Sequence, residues 1–240
     1  MTVTLSTMPQ PKSLEAFWGL PPREWTLDQD EAHVWMAALD QPPRCQEALA
    51  NTLSRDERLK VSRFHRPRDR ECAMVARGLL RQILASYLQW DPCALAFEYN
   101  PNGKPSLASN QGGVKFNLSH SGALLLCAVS RCEVGVDLER LGSLPNSDAE
   151  AIVERFFTEA ERSSYHAARG GQKDLAFYKL WTGKEAIAKC SGHGIAQERP
   201  AENFEGAMFE LTPAAGYIGS LAVQSPSCRL QTWQWPDALE

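Results

Sequence analysis

No Cys-x-x-Cys pair occurs in this chain, although it carries seven cysteines. Their scatter excludes a sequence-readable structural zinc site, and the odd count argues against a disulfide framework and for a reducing cytosol. No apolar run approaches the length needed to cross a bilayer. Residues 1–20 lack the charged start and apolar stretch of a secretory signal, so the protein is expected to be soluble and cytoplasmic. A net charge of −4 is too mild to call for a nucleic acid or a membrane as partner. There is no Gly-x-x-x-x-Gly-Lys phosphate loop, no helix-opening Gly-x-Gly-x-x-Gly and no His-Glu-x-x-His. Ser119 is not in a Gly-x-Ser-x-Gly elbow, because Asn117 holds the first position. Ser119 and His120, adjacent on a strand, point to opposite faces, which argues against a serine-hydrolase dyad.

What is present is ordinary in bulk, 43% hydrophobic and 22% charged, and long enough for one large domain or two small ones. The charge is unevenly spread. Between Arg55 and Arg70 seven bases face three acids, a basic segment inside an acidic protein that suits an anionic ligand. Residues 1–30 read as an extended arm with Trp18 and Trp25 as anchors. His33–Leu39 reads as a first strand. Ser54 and Glu57 form a capping box that opens a helix ending near Phe64, and a second helix runs from about Asp69 to Gln89. On it Arg70, Arg77 and Arg81 share one flank. A strand over 94–99 leads to the turn signal Asn102-Gly103, followed directly by Lys104.

The stretch from Phe116 to Glu139 stands out. A polar Ser119-His120-Ser121 precedes the short apolar run Ala123–Val129, which suits a strand covered on both faces. On the strand after it, Asp137 and Glu139 share a face because the side-chain period is two. Two such acids repel unless a cation separates them, and a divalent metal is the usual solution. A solvated strand end with two surface acids is the plain alternative. Thr158 and Glu161 form a second capping box. In the helix from Asp174 to Cys190, Glu185 and Lys189 fall together on one edge of the apolar face, beside Trp181, as at the rim of a cleft. Lys184 projects into the apolar stripe itself, which costs desolvation unless a partner receives it. Met208–Leu211, Tyr217–Val223 and Arg229–Trp235 read as short strands closing a sheet.

Three stretches in order resemble the phosphopantetheinyl transferases, and among them the larger Sfp-type family: Gly103-Lys104-Pro105; Phe116–Ser121 followed by Gly135–Glu139; and Trp181–Lys189. The similarity runs from about Leu53 to about Gly194. The resemblance implies an α+β fold of two similar α/β subdomains related by a pseudo-twofold axis, with the active site in the cleft between them. The joint is expected near Glu133, giving an N-terminal subdomain over 1–133 and a C-terminal one over 134–240.

The reaction it implies moves 4'-phosphopantetheine from coenzyme A to a serine of an apo acyl or peptidyl carrier protein. Asp137, Glu139 and Glu185 match the family's Mg²⁺ positions, and Lys189 the lysine near the leaving oxygen. Glu185 is the candidate acceptor of the serine proton, directly or through a metal-bound water. Lys104, Ser119 and His120 match phosphate-binding positions, and Lys60 a base that meets the ribose phosphate. A further basic position of some members falls on Glu57, which departs from the pattern. Arg77 and Arg81 are added as cofactor-binding residues from the basic flank alone. A single chain holding a complete cleft is expected to act as a monomer. Two rivals use the same residues: a Mg²⁺-dependent phosphoester hydrolase of coenzyme A or a nucleotide, and a non-catalytic module that binds coenzyme A or carrier domains.

Overall fold

A computed structural model describes residues 11–13, 18–194 and 204–236. Parts of the expected N-terminal arm, 1–10 and 14–17, lie outside these. Strand β1 (Lys12–Ser13) is followed by β2 (Glu31–Ala38) and by helices α1 (Pro43–Thr52), α2 (Arg55–Ser62) and α3 (Pro67–Leu88). A hairpin of β3 (Phe97–Tyr99) and β4 (Pro105–Leu107) precedes β5 (Lys115–Ser121) and β6 (Leu124–Ser130). Then come β7 (Val134–Arg140), α4 (Asn146–Phe156), α5 (Glu159–Ala167), α6 (Gly171–Ser191), β8 (Ala207–Leu211), β9 (Tyr217–Val223) and β10 (Arg229–Gln234). No helix among the described residues is long and apolar enough to cross a membrane.

The strands form two four-stranded sheets, ordered β10-β2-β6-β5 and β1-β8-β9-β7. Each sheet is built on one connectivity. A strand (β2 or β7) leads through three helices to a strand pair (β5 and β6, or β8 and β9), and the last strand lies between the other two. This is the duplicated α+β plan that the family resemblance implies. The chain termini then exchange: β10 adds in parallel to β2, and β1 adds in parallel to β8. The strands expected to close one sheet therefore divide, with β8 and β9 in the second sheet and β10 in the first.

Central β6 carries the apolar run picked out in the sequence. Leu125, Cys127 and Val129 face α3 with Leu79, Ile83 and Leu84, while Leu126 and Ala128 face the second sheet with Val136, Leu221 and Val223. Both faces are covered, which is why the run shows no polar alternation. At the far edge of the first sheet Trp25 packs on Trp35 and Trp233, with ring centroids 5.4 and 5.9 Å away. Tyr87 anchors this cluster by bonding the Trp35 indole N–H (2.8 Å) and His33 Nδ1 (2.7 Å).

The sheets meet through their edges β5 and β7, and side chains make the junction. Val136 N–H donates to Asn117 Oδ1 (2.9 Å), Leu138 N–H to Ser119 Oγ (3.3 Å) and Arg140 N–H to Ser121 Oγ (3.1 Å). The alternating polar residues of β5 thus satisfy the free N–H groups of an edge strand that would otherwise stay unpaired in a buried seam. The Ser-His-Ser stretch forms the end of β5.

Candidate active site

The seam fixes the acids. Asp137 is buried in the middle of β7. Its Oδ1 accepts from Ser119 Oγ (3.0 Å) and pairs with the Lys189 ammonium, while its Oδ2 is buried with no hydrogen-bond partner. Ser119 Oγ is fully used: it donates to Asp137 and accepts from Lys189 Nζ (3.1 Å) and Leu138 N–H. Two residues on, Glu139 Oε2 accepts from Ser121 Oγ (2.9 Å) and Ser143 Oγ (3.3 Å). Helix α6 of the same half supplies the rest. Helix α6 lies directly on β7 because Gly135 has no side chain; a Cβ there would collide with the Ala186 carbonyl and the Cys190 amide. That approach brings Glu185 and Lys189, one turn apart, over the β7 acids.

The three carboxylates sense one another. Burial, and then the charges of Asp137 and Glu139, push the Glu185 carboxyl above the usual carboxylate range, against the pull of Lys189. Burial and the Asp137 charge do the same to Glu139. Asp137 is raised by burial, which outweighs its contact with Lys189. Among the described residues no group of three or more His, Cys, Asp and Glu side chains has the arrangement of a metal-ligand cluster. The donor set nonetheless fits a hard divalent cation, with oxygen donors only, mutual repulsion, and an orphaned oxygen on Asp137.

Lysines and two cavities surround the acids. One cavity, about 220 Å³, is lined by Asn102, Lys104, Asn117, Glu185, Lys189 and neighbouring glycines. The other, about 300 Å³, is lined by Glu57, Lys60, Arg77 and His120 with an apolar wall from α2, α3 and β5. Pro105 and Asn117 line both, so the two form one cleft. Lys104 Nζ bonds Glu133 Oε2 (2.7 Å) and the Cys190 carbonyl (2.8 Å). Lys60 is exposed, with its Nζ 4.1 Å from the Tyr99 ring centroid. Arg77 stands over Phe97 and has its Nε 3.6 Å from Glu57 Oε1.

The cleft thus gathers Lys60, Arg77, His120, Lys104, Glu185 and Lys189, with Ser119, Asp137 and Glu139 beneath or beside it. Arg81 is the exception. Its side chain is 1% exposed; Nε pairs with Glu57 Oε2 (2.7 Å) and Nη1 donates to the Pro92 carbonyl (2.6 Å). It shares the i, i+4 flank of Arg77 but points beneath α2, so it offers a ligand nothing. Glu57, where the family pattern has a base, is spent on the α2 capping box and this ion pair. Asn117, Ser121 and Glu133 were not legible as site residues. The polar Asn-x-Ser-x-Ser alternation was the available signal for the first two.

Comparison with known proteins agrees with the geometry. The sequence profile of the 4'-phosphopantetheinyl transferase superfamily matches residues 133–236, and that of a 4'-phosphopantetheinyl transferase N-terminal region matches residues 41–132. The chain is 40% identical over 204 residues to the 4'-phosphopantetheinyl transferase HetI of Nostoc, covering 84% of each chain. It is 34% identical over 194 residues to a putative 4'-phosphopantetheinyl transferase of Synechocystis, covering 78% of this chain and 76% of that one. To the Bacillus subtilis transferase Sfp it is 28% identical over 150 residues, 62% of this chain and 65% of that one. With two halves of one connectivity, acids and lysines converging on the cleft between them, and relatives matching along most of its length, the chain belongs to the 4'-phosphopantetheinyl transferases.

Proposed function

We propose that the cleft transfers the 4'-phosphopantetheine arm of coenzyme A to a serine hydroxyl of an apo acyl or peptidyl carrier protein, with release of adenosine 3',5'-bisphosphate. The observation that carries this reading is the convergence of Asp137, Glu139, Glu185 and Lys189, drawn from both sides of the α6–β7 contact. Asp137, Glu139 and Glu185 would hold Mg²⁺. When bound, the ion supplies positive charge to the diphosphate as negative charge grows there.

The chain's own residues do the remainder. Lys60, Arg77 and His120 line the cavity that suits the nucleotide end of the donor, with the apolar wall against its base. Lys104 and Lys189 flank the neighbouring cavity and address the diphosphate. The serine oxygen attacks the phosphorus that carries the pantetheine arm, and the bond from that phosphorus to the bridging oxygen breaks. Glu185 takes the serine proton, and Lys189 stabilises the departing oxygen. Ser119 acts from beneath by holding Lys189 and Asp137 in register. A single chain provides both walls of the cleft, which supports action as a monomer. Seven free cysteines fit a reducing cytoplasm.

The test is intact-mass analysis of several apo carrier proteins incubated with the protein, coenzyme A and Mg²⁺. A carrier heavier by one phosphopantetheine supports the reading. Cleavage of coenzyme A with no heavier carrier would instead identify a hydrolase, and tight binding without turnover a non-catalytic module.

A further inference from the structure

The turn between β3 and β4 belongs to the first half, yet its side chains end a helix of the second. Asn100 Nδ2 and Asn102 Nδ2 both donate to the Gly192 carbonyl, at 2.9 and 3.0 Å. Lys104 Nζ donates to the Cys190 carbonyl at 2.8 Å. These carbonyls belong to the last turn of α6, where backbone acceptors have no partner inside the helix. The helix ends at Gly192 with φ +74°, and a Cβ there would stand 2.9 Å from Asn100 Nδ2 and 3.2 Å from Lys104 Cδ. The turn therefore sits against the bare backbone of the helix end. It is also internally braced, since Asn100 Oδ1 accepts from the Asn102 and Lys104 amides at 3.0 and 2.8 Å.

Lys104 is fixed by this arrangement. An ammonium has three N–H donors. The Glu133 carboxylate takes one at 2.7 Å and the Cys190 carbonyl another. One donor remains for the cavity that Lys104 shares with Asn102, Glu185 and Lys189. Lys60 contrasts with it, being exposed and lying over a single ring. Glu133 is itself held from the other side by Lys115 at 2.8 Å. Burial works to raise its carboxyl, and the two lysines outweigh that and leave it below the usual range, so it meets Lys104 as an anion.

We propose that the Asn100–Lys104 turn is a clasp between the halves, in which Asn100, Asn102 and Glu133 are positioning residues for the donor diphosphate. They hold the Lys104 ammonium at a set place relative to the end of α6, and so relative to Lys189 across the cavity. The inference rests on the transferase reading for its ligand, a diphosphate ester, but the clasp itself is a property of the free protein. Misplacing a phosphate-binding group by about 1 Å can cost up to about a hundredfold in rate. A partial loosening is therefore expected to register as a change of about tenfold.

A double-mutant cycle between Asn102→Ala and Lys104→Ala tests it, with hydrogen exchange at the α6 end as an independent readout. Asn102→Ala adds no charge and leaves the Asn100 brace in place. It is expected to raise the KM for coenzyme A about tenfold with kcat changed less than twofold, and to add nothing in the Lys104→Ala background. In the absence of any ligand, the amides of residues 188–192 should exchange faster in the variant. Equal effects of Asn102→Ala with and without Lys104 would overturn the positioning role. Unchanged exchange at the α6 end would overturn the clasp. If the unmodified protein transfers nothing, it is the transferase reading that fails, and the exchange comparison still decides whether the clasp exists.

Discussion

In the first half of the molecule Glu57, third residue of α2, receives Arg81 from α3 at 2.7 Å; in the second, Glu161, third residue of α5, receives Lys184 from α6 at 2.9 Å. Both glutamates complete a capping box, and both cations lie near a phenylalanine ring, Phe97 at 5.2 Å and Phe157 at 5.6 Å. One buried pair thus locks a short helix to a long one in each half. Just beyond the pair the halves part. Glu185 and Lys189 follow Lys184 at one and five residues; the same steps after Arg81 reach Gln82 and Ser86. The scaffold is duplicated, and the Glu185–Lys189 pair proposed for the acid–base chemistry stands on one copy only. The other copy contributes a basic cavity and, on β5, the polar face that seats Asp137 and Glu139. A cation on a long helix is therefore buried in an ion pair at one position and lines the cavity a turn later, and Arg81 falls on the buried side.

The comparison breaks most sharply at the acids. Asp137→Ala should lower transfer by about 10²–10³-fold, the usual loss when a preorganised charge contact is removed, while far-UV dichroism keeps its native shape. Gln82→Ala and Ser86→Ala, at the matching sites of the first half, should leave the rate within about twofold. Near-native transfer by Asp137→Ala would end the metal assignment.

The paired locks come next. Breaking a buried ion pair from one side costs about 3–5 kcal/mol, so Glu57→Ala and Glu161→Ala should each shift a urea melt strongly. Glu161 has the more exposed carboxylate, 13% against 6%, and should give the smaller shift. A neutral Glu161→Ala would deny that the two pairs play the same part.

Gly135→Ala should cost about 1–3 kcal/mol by overpacking, and it should lower kcat as well, because the backbone it strikes carries Glu185 and Lys189. Gly78→Ala is a control in the first half, at a contact between α3 and α1 where the added Cβ would stand 2.6 Å from Leu49 Cβ. It should destabilise without changing kcat in the protein that remains folded. Equal kcat for both variants would separate the α6–β7 approach from catalysis.

The smallest effect concerns acid. Burial holds the His33 imidazole below its ordinary pKa, against the opposing pull of Glu31. Between its folded pKa and its unfolded value near 6.5 the unfolded chain binds the extra proton, so stability falls as the pH drops through that window. The pH dependence of the urea midpoint over this range should flatten in His33→Gln; an unchanged slope would place the acid sensitivity elsewhere.

Local signals in the sequence were enough for α2, α3 and α6, the buried β6 strand, both capping boxes and the adjacency of Glu185 to Lys189, but not for α1. Each is written in spacing over a few residues. Lys184, an ammonium on an apolar stripe, needs a partner, and Glu161 receives it. What no local pattern shows is which distant strand adds to which edge. The placement of β1 and β10 on opposite sheets depends on pairings about two hundred residues apart in sequence. Arg77 and Arg81 look alike on a helical wheel, and only the packing of α2 over α3 separates a half-buried guanidinium that lines the cavity from a fully buried one. Ser119 and Ser121 carried a readable clue, a two-residue polar period, whose meaning needed β7 beside it.

The account stands or falls on a direct assay of the unmodified protein, in which coenzyme A and apo carrier proteins are incubated with Mg²⁺ or with chelator and weighed intact. It predicts that a carrier gains one phosphopantetheine on a serine, in equal amount with adenosine 3',5'-bisphosphate, and only when the cation is present. Transfer that proceeds undiminished in chelator would contradict the role given to Asp137, Glu139 and Glu185, and a carrier panel left unmodified while coenzyme A is consumed would contradict the transferase itself.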